Sequence, residues 1–105
     1  MRESRYRYIV ARIQREDIKQ EDLEKLVNQL ILTLFGVNGL SKVLPKVVYI
    51  NAKKIVVIKV KREGIKIFRA SLLLDRGSSL TVLKTTGTLR KAARIADSIS
   101  DLRIH

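Results

Sequence analysis

The stretch TTGTLRK, residues 85–91, combines the residue types that bind phosphate groups in proteins. A threonine-and-glycine turn stands directly before a predicted helix, and the first amides of a helix have no acceptor within the helix itself. The helix dipole favours an anion at this end, where Arg90 and Lys91 add positive charge. The alternative is that Thr86 or Thr88 simply caps the helix. The stretch therefore predicts a phosphate-binding tip or an ordinary capped helix.

The charge of the whole chain favours the phosphate-binding interpretation. Its 105 residues carry a formal net charge of +12, which indicates a polyanionic partner, with nucleic acid as the first candidate. The basic residues are dispersed over strands and loops rather than gathered on one amphipathic helix, so a membrane surface is disfavoured. The apolar stretch around residues 30–40 is broken by glycine before it could span a bilayer. We expect a soluble, cytoplasmic protein of one domain, residues 1–105.

Two further groups of basic residues lie on predicted strands and their flanks. One occupies residues 53–69, where alternation puts Lys59 and Lys61 on one strand face. The other stands on or before the first strand, where Tyr6 and Tyr8 are interleaved as candidate base-stacking platforms. Solvated charges that discourage edge pairing, and tyrosines in the core, are the alternatives. The candidate RNA-binding residues are Arg5, Arg7, Lys59, Lys61, Arg62, Thr88, Arg90, Lys91 and Arg94.

The acidic residues offer little for catalysis. Five of them cluster at the start of the first predicted helix, where the helix dipole stabilises negative charge and the side chains stay solvated. The chain has no cysteine and a single histidine, His105, so neither a zinc site nor a nucleophile–histidine pair can be assembled. We therefore expect no catalytic residue and no bound metal in this chain.

Hydrophobic periodicity divides the chain into alternating strands and helices. Period-two alternation predicts strands over residues 5–14, 46–51, 54–62 and 79–86. Residues 62–77 fit both patterns, and their length favours a helix. The predicted helices cover residues 17–35, 62–77 and 88–100. The first begins with a capping box. The last is expected to bury Leu89, Ala92, Ala93, Ala96 and Ile99.

The segment after the first helix is predicted to be a loop. Gly36 is expected to end the helix, and Asn38-Gly39 to form a turn. Residues 40–44 fit one more helical turn, which Pro45 cannot continue. Exposed apolar residues in such a loop are candidates for contact with a protein partner, and burial under the rim of the sheet is the alternative. These candidates are Phe35, Val37 and Leu40.

This order of elements predicts an α+β fold of the RNA-recognition, or ferredoxin-like, type: a four-stranded antiparallel sheet with packed helices and an extra C-terminal helix. Right-handed crossovers put both main helices on one face of the sheet. The other face is left for the extra helix, for RNA or for a protein partner. The third strand, IVVIKVKR, has no aromatic residue, so recognition of the RNA backbone or shape is favoured over reading of single-stranded bases.

Four segments carry a resemblance to a known family. They are RYRYIVARI, LILTLFGVNGLSK, KIVVIKVKREGIKIFRASLLL and TTGTLRKA, which cover nearly the whole chain in the expected order. In these segments the chain resembles the archaeal ribonuclease P protein component 2 family, which includes a small subunit of eukaryotic ribonuclease P and MRP. The family more often has serine at the position of Thr86, and either hydroxyl can cap.

The resemblance implies a protein cofactor of a catalytic RNA that removes the 5′ leader from precursor tRNA. It implies a second protein, ribonuclease P protein component 3, a dimer of heterodimers, and the other ribonuclease P proteins in the same complex. The chemistry would belong to ribonuclease P RNA and its Mg²⁺ ions, with no cofactor bound by the protein. The alternatives are a ribosomal or other structural RNA-binding protein of the same fold class and, from another class, a small acylphosphatase-like hydrolase.

Overall fold

A computed structural model describes residues 5–14, 18–75 and 80–99 of the chain. A 3₁₀ turn at Arg62–Gly64 joins the third strand to the second helix. In chain order the elements are β1 (Tyr6–Ile13), α1 (Gln20–Val43), β2 (Lys46–Ile50), β3 (Ile55–Lys61), α2 (Ile65–Leu74), β4 (Leu80–Thr86) and α3 (Leu89–Ser98).

The four strands form one antiparallel sheet in the order β2-β3-β1-β4. Both crossovers, through α1 and through α2, skip a strand position, which is the split arrangement that the order of elements predicts. The predicted fold class is therefore confirmed. So is the assignment of residues 65–74 to a helix, although alternation alone would have allowed a strand there.

Helices cover both faces of the sheet, which explains why four consecutive residues of β3, residues 55–58, are fully buried. On one face α1 and α2 pack on the larger core, in which Phe68 and Leu23 lie against Ile9 and Ile58. On the other face α3 packs on a smaller cluster formed by Val10, Ile55, Val57, Ala92 and Ala96. The sheet face that the sequence analysis assigned to the extra helix, to RNA or to a protein partner is thus covered in part by α3.

The course of α1 differs from the prediction at its C-terminal end. Gly36 has φ 75° and ψ −174°, a backbone region open essentially to glycine alone, so the first helical stretch stops there as predicted and α1 is kinked. A second helical stretch follows directly and continues to Val43, so the turn predicted at Asn38-Gly39 is wrong. A Cβ atom at Gly39 would collide with the Phe35 side chain, and this close approach across the kink is not visible in the local sequence. The predicted stop at Pro45 is confirmed.

The beginning of α1 also differs. The helix starts at Gln20 after Lys19, which is extended and provides no side-chain cap. The predicted capping residue, Asp17, lies outside the described residues. Among those residues, Glu21–Val43 is the helical segment long and apolar enough to cross a membrane by length and composition. The same segment is kinked and contributes to the core through Leu23, Val27 and Ile31, so we interpret α1 as a core helix.

Candidate nucleic-acid interface

Basic side chains from distant parts of the sequence meet at one end of the sheet, which we call the basic end. Here β1 and β2 begin, and β3 and β4 end. Tyr8 of β1 lies between Lys59 of β3 and Thr86 of β4, and Lys46 of β2 lies opposite Lys59. At about 4.8 Å per strand this row spans about 14 Å across the sheet. It leads from Lys46 to the turn that starts α3.

Two lysines directly opposite each other repel, which makes this part of the row favourable for an anion. Lys46 is exposed, and Lys59 is half-buried with its ammonium group 4.2 Å from the ring centroid of Tyr6. Lys46 was not among the predicted residues. The register of the β2–β3 hairpin places it beside Lys59, so a register assigned from the sequence could have found it.

The tip of α3 is organised by its two threonines. The Thr86 hydroxyl donates to the Thr88 carbonyl oxygen at 2.9 Å and accepts from the Thr88 amide at 3.2 Å. The Thr88 hydroxyl accepts from the Lys91 amide at 3.2 Å, so Thr88 is the N-cap of α3. This cap is the alternative that the sequence left open. It leaves Arg90, Lys91 and Arg94 exposed, with the first two on the turn that adjoins the basic end.

The other candidates at this end are partly engaged within the protein. The Lys61 ammonium lies 3.3 Å from a Glu63 carboxylate oxygen and 3.4 Å from the Ser41 carbonyl oxygen, so it is turned toward the end of α1. Arg5 and Arg62 are brought together, because the Arg62 amide donates to the Arg5 carbonyl oxygen at 2.7 Å. Both side chains are exposed.

One predicted residue lies elsewhere. Arg7 pairs with Val60 on the face that carries α1 and α2, and its guanidinium donates to the Tyr6 carbonyl oxygen at 3.0 Å. The basic group at residues 53–69 is also divided. Lys53 lies in the β2–β3 hairpin at the opposite end of the sheet, and Arg69 of α2 donates to the Thr85 hydroxyl at 2.9 Å. Sequence proximity therefore grouped residues that the fold separates.

The buried face of α3 differs from the prediction at its first residue. Ala92 and Ala96 are fully buried, Ala93 and Ile99 are half-buried, and Leu89 is 40% exposed. The inward orientation predicted for Leu89 is therefore wrong. Because α3 starts from the edge strand β4, its first turn lies beside the sheet rather than over it.

The predicted aromatic platforms are not arranged for base stacking. Tyr8 packs against the cluster under α3, and Tyr6 has the Lys59 ammonium over its ring. The centre of this sheet face holds Val10 and Val57 and is covered by α3. An RNA strand therefore finds charged groups around the sheet but no open aromatic surface at its centre.

The candidate partner residues lie around the kink of α1. Val37 is 73% exposed and Phe35 38% exposed, whereas Leu40 is half-buried and packs against the larger core. Further apolar side chains are exposed on α1, just after α1 and at the end of α2, namely Leu32, Leu34, Leu44, Leu73 and Leu74.

The described residues contain no group of three histidine, cysteine, aspartate or glutamate side chains that could hold a metal ion. One member of the acidic cluster has a structural role, since a carboxylate oxygen of Glu24 accepts from the Val47 amide at 2.7 Å and ties α1 to β2. Glu21 and Asp22 are exposed in the first turn of α1.

The fold and the basic end define a class of protein: an RNA-recognition-like sandwich with one sheet face closed by α3 and a strongly basic surface at one end. The profile of the Rpp14/Pop5 family matches residues 7–96. The chain therefore belongs to the Rpp14/Pop5 family of ribonuclease P and MRP protein subunits, and the resemblance found in the sequence is confirmed.

A solved structure supports the fold. A chain in the cryo-EM structure of yeast ribonuclease MRP matches with a TM-score of 0.64 and 18% sequence identity, over 86% of this chain and 80% of that chain. No curated protein sequence matches the chain.

Proposed function

We propose that this chain is a non-catalytic, RNA-binding subunit that supports ribonuclease P RNA in removing the 5′ leader from precursor tRNA. The observation that carries the proposal is the basic end, and the chain's membership of the Rpp14/Pop5 family supports it. At the basic end a row about 14 Å long leads from Lys46 and Lys59 to a helix tip bearing Arg90 and Lys91. By neutralising RNA phosphates, these cations would let a densely charged RNA fold at a lower Mg²⁺ concentration. The Mg²⁺ ions would be bound by the RNA.

The contacts that we propose are to the RNA backbone. Guanidinium and ammonium groups bind phosphates without reading sequence, and such binding weakens steeply as salt is added. The position of Lys59 over Tyr6 and the cover of α3 over the sheet argue against stacked single-stranded bases. A folded RNA that presents phosphates from two strands would suit a row about 14 Å long.

The protein partners belong to the same proposal. We propose that ribonuclease P protein component 3 binds near the α1 kink, where Phe35 and Val37 are exposed, in a dimer of heterodimers with the other ribonuclease P proteins. Leu40 would support this surface from beneath, since it packs against the core. We propose a cytoplasmic, archaeal complex.

A competition experiment separates this function from binding of ribosomal RNA. The chain, together with component 3, is titrated into labelled ribonuclease P RNA in the presence of an unlabelled ribosomal RNA fragment of equal length. We expect ribonuclease P RNA to be retained at an excess of competitor that displaces non-specific binding. Equal competition by the two RNAs would contradict the proposal and favour a general structural RNA-binding role.

A further inference from the structure

The β2–β3 hairpin is hydrogen-bonded to the C-terminal end of α3 through three side chains, Tyr49, Asn51 and Lys53, which we call the clasp. The Tyr49 hydroxyl donates to a carboxylate oxygen of Asp97 at 2.6 Å. The Asn51 side-chain amide donates to the Ala96 carbonyl oxygen at 3.0 Å, with Asp97 as a second acceptor at 3.4 Å.

Lys53 completes the clasp at the C-terminus of α3. Its ammonium lies 2.9 Å from the Ile99 carbonyl oxygen and 3.5 Å from that of Asp97. The last carbonyl groups of a helix have no partner within it, and the helix dipole favours a cation there. The clasp therefore satisfies groups that α3 cannot satisfy alone.

Asn51 uses both halves of its amide. Its side-chain oxygen accepts from the Lys53 amide at 2.9 Å and from the Ile55 amide at 3.2 Å, which shapes the hairpin turn. Its side-chain nitrogen binds α3. One residue thus couples the shape of the turn to the position of the helix.

The fully buried apolar contacts of α3 are small, and the larger side chains Ile95 and Ile99 pack against the cluster only partly buried. The fully buried side chains that α3 contributes are alanines, Ala92 and Ala96, and the helix has only 10 residues. A helix of that length is marginal in water without tertiary support. Alanine contacts also fix the direction of a helix less firmly than larger interlocking side chains do.

We infer that Tyr49, Asn51 and Lys53 are positioning residues, which fix the direction of α3 and so hold Arg90, Lys91 and Arg94 in line with the basic end. The clasp lies at one end of α3 and the cations at or near the other, so it acts on RNA through the helix and without touching it. The inference rests on the proposed RNA-binding function.

The first test measures whether the clasp holds α3 on the sheet. Asn51→Asp keeps the oxygen that shapes the turn but replaces the donor to α3 with an oxygen that faces Asp97. Gln29→Glu, at an exposed position in the middle of α1, makes the same change of amide to carboxylate away from the clasp and from the α1 kink. Because the chain has no cysteine, a thiol introduced at Ala96 or Ala92, both fully buried, reacts with a thiol reagent when α3 lifts.

We expect Asn51→Asp to speed modification of both thiols about tenfold relative to Gln29→Glu, as expected for the loss of one or two hydrogen bonds. A thiol at Ser71, which is 1% exposed under α2, reports global opening and should react at an unchanged rate. Equal rates in the two carboxylate variants at positions 92 and 96 would overturn the inference. A matching increase at position 71 would overturn it as well.

The second test measures RNA binding by the same two variants in the otherwise unaltered chain, with component 3 present. We expect Asn51→Asp to weaken binding of ribonuclease P RNA about threefold to tenfold relative to Gln29→Glu, and to lower the slope of log affinity against log salt by about one, the value for one phosphate contact. Equal affinities despite faster thiol modification would overturn the positioning role. Failure of the unaltered chain to bind would overturn the proposed function itself, and the positioning role with it.

Discussion

At the residue scale, strand register decides which charges act together. Lys46 and Lys59 are 13 positions apart but directly opposite each other, whereas Lys59 and Arg69 belong to different faces of the molecule. The sequence predicted Lys59, Arg90 and Lys91 because alternation and helix capping are local signals. It missed Lys46, because the position of Lys46 beside Lys59 depends on how β2 pairs with β3.

The α3 tip gives a direct prediction for RNA binding. Replacing Arg90 and Lys91 with alanine should weaken binding of ribonuclease P RNA and lower the slope of log affinity against log salt by roughly one to two, the value for two phosphate contacts. Both side chains are exposed, so the thermal midpoint should stay unchanged. Lys25→Ala with Lys66→Ala, two exposed cations on α1 and α2, is the control of equal charge. Equal losses in both double variants would show that only net charge matters.

Tyr49 gives a prediction for pH. The hydrogen bond to Asp97 raises the pKa of Tyr49 above its ordinary value of 10.0, with desolvation and the Asp97 charge acting in the same direction. The folded chain therefore holds the phenol proton more tightly than the unfolded chain does. The stability that this bond contributes is complete below about pH 10 and is lost as the pH rises through the pKa of the folded state.

Absorbance titration of tyrosinate checks this prediction. The chain has three tyrosines, and Tyr49→Phe should remove one step that titrates above pH 10.0. Loss of a step at or below that pH in Tyr49→Phe would contradict the raised pKa.

At the element scale, the order and type of the helices and strands followed from periodicity, and the errors occur where distant segments touch. The helix at residues 65–74 was assigned correctly because its apolar spacing and length agree. The helical stretch directly after Gly36 was missed because glycine and asparagine commonly mark a turn. Gly39 lies so close to Phe35 across the kink that a Cβ atom would collide with that side chain, and no local pattern reports this contact.

Gly64 gives a prediction for stability. A Cβ atom at this position would lie 2.3 Å from the Lys42 carbonyl oxygen, a backbone atom that cannot move aside. Gly64→Ala should therefore lower the free energy of unfolding by about 1–3 kcal/mol, the usual cost of overpacking. Gly87→Ala is the control, because nothing lies within 4 Å of the added atom. Urea denaturation of both variants measures the difference, and equal midpoints would contradict the close contact of α1 with the 3₁₀ turn.

At the scale of the whole molecule, the basic end and the exposed apolar side chains near the α1 kink lie on different elements. The basic end gathers charges from β2, β3 and the start of α3, whereas exposed apolar residues such as Val37 and Leu73 lie on α1 and α2. Under the proposed function, this arrangement would let one subunit bind RNA at one surface and a protein at another. The net charge of +12 predicted a polyanionic partner, but only the fold reveals which surface concentrates that charge.

The central claim is that this chain assists a catalytic RNA. The measurement that tests it is cleavage of the 5′ leader of precursor tRNA by the cognate ribonuclease P RNA at limiting Mg²⁺, with component 3 present and this chain added or withheld. We predict cleavage that depends on the chain and that falls in the variant carrying Arg90→Ala and Lys91→Ala. Cleavage that is equal with and without the chain, once its complex with component 3 is confirmed to form, would contradict the claim.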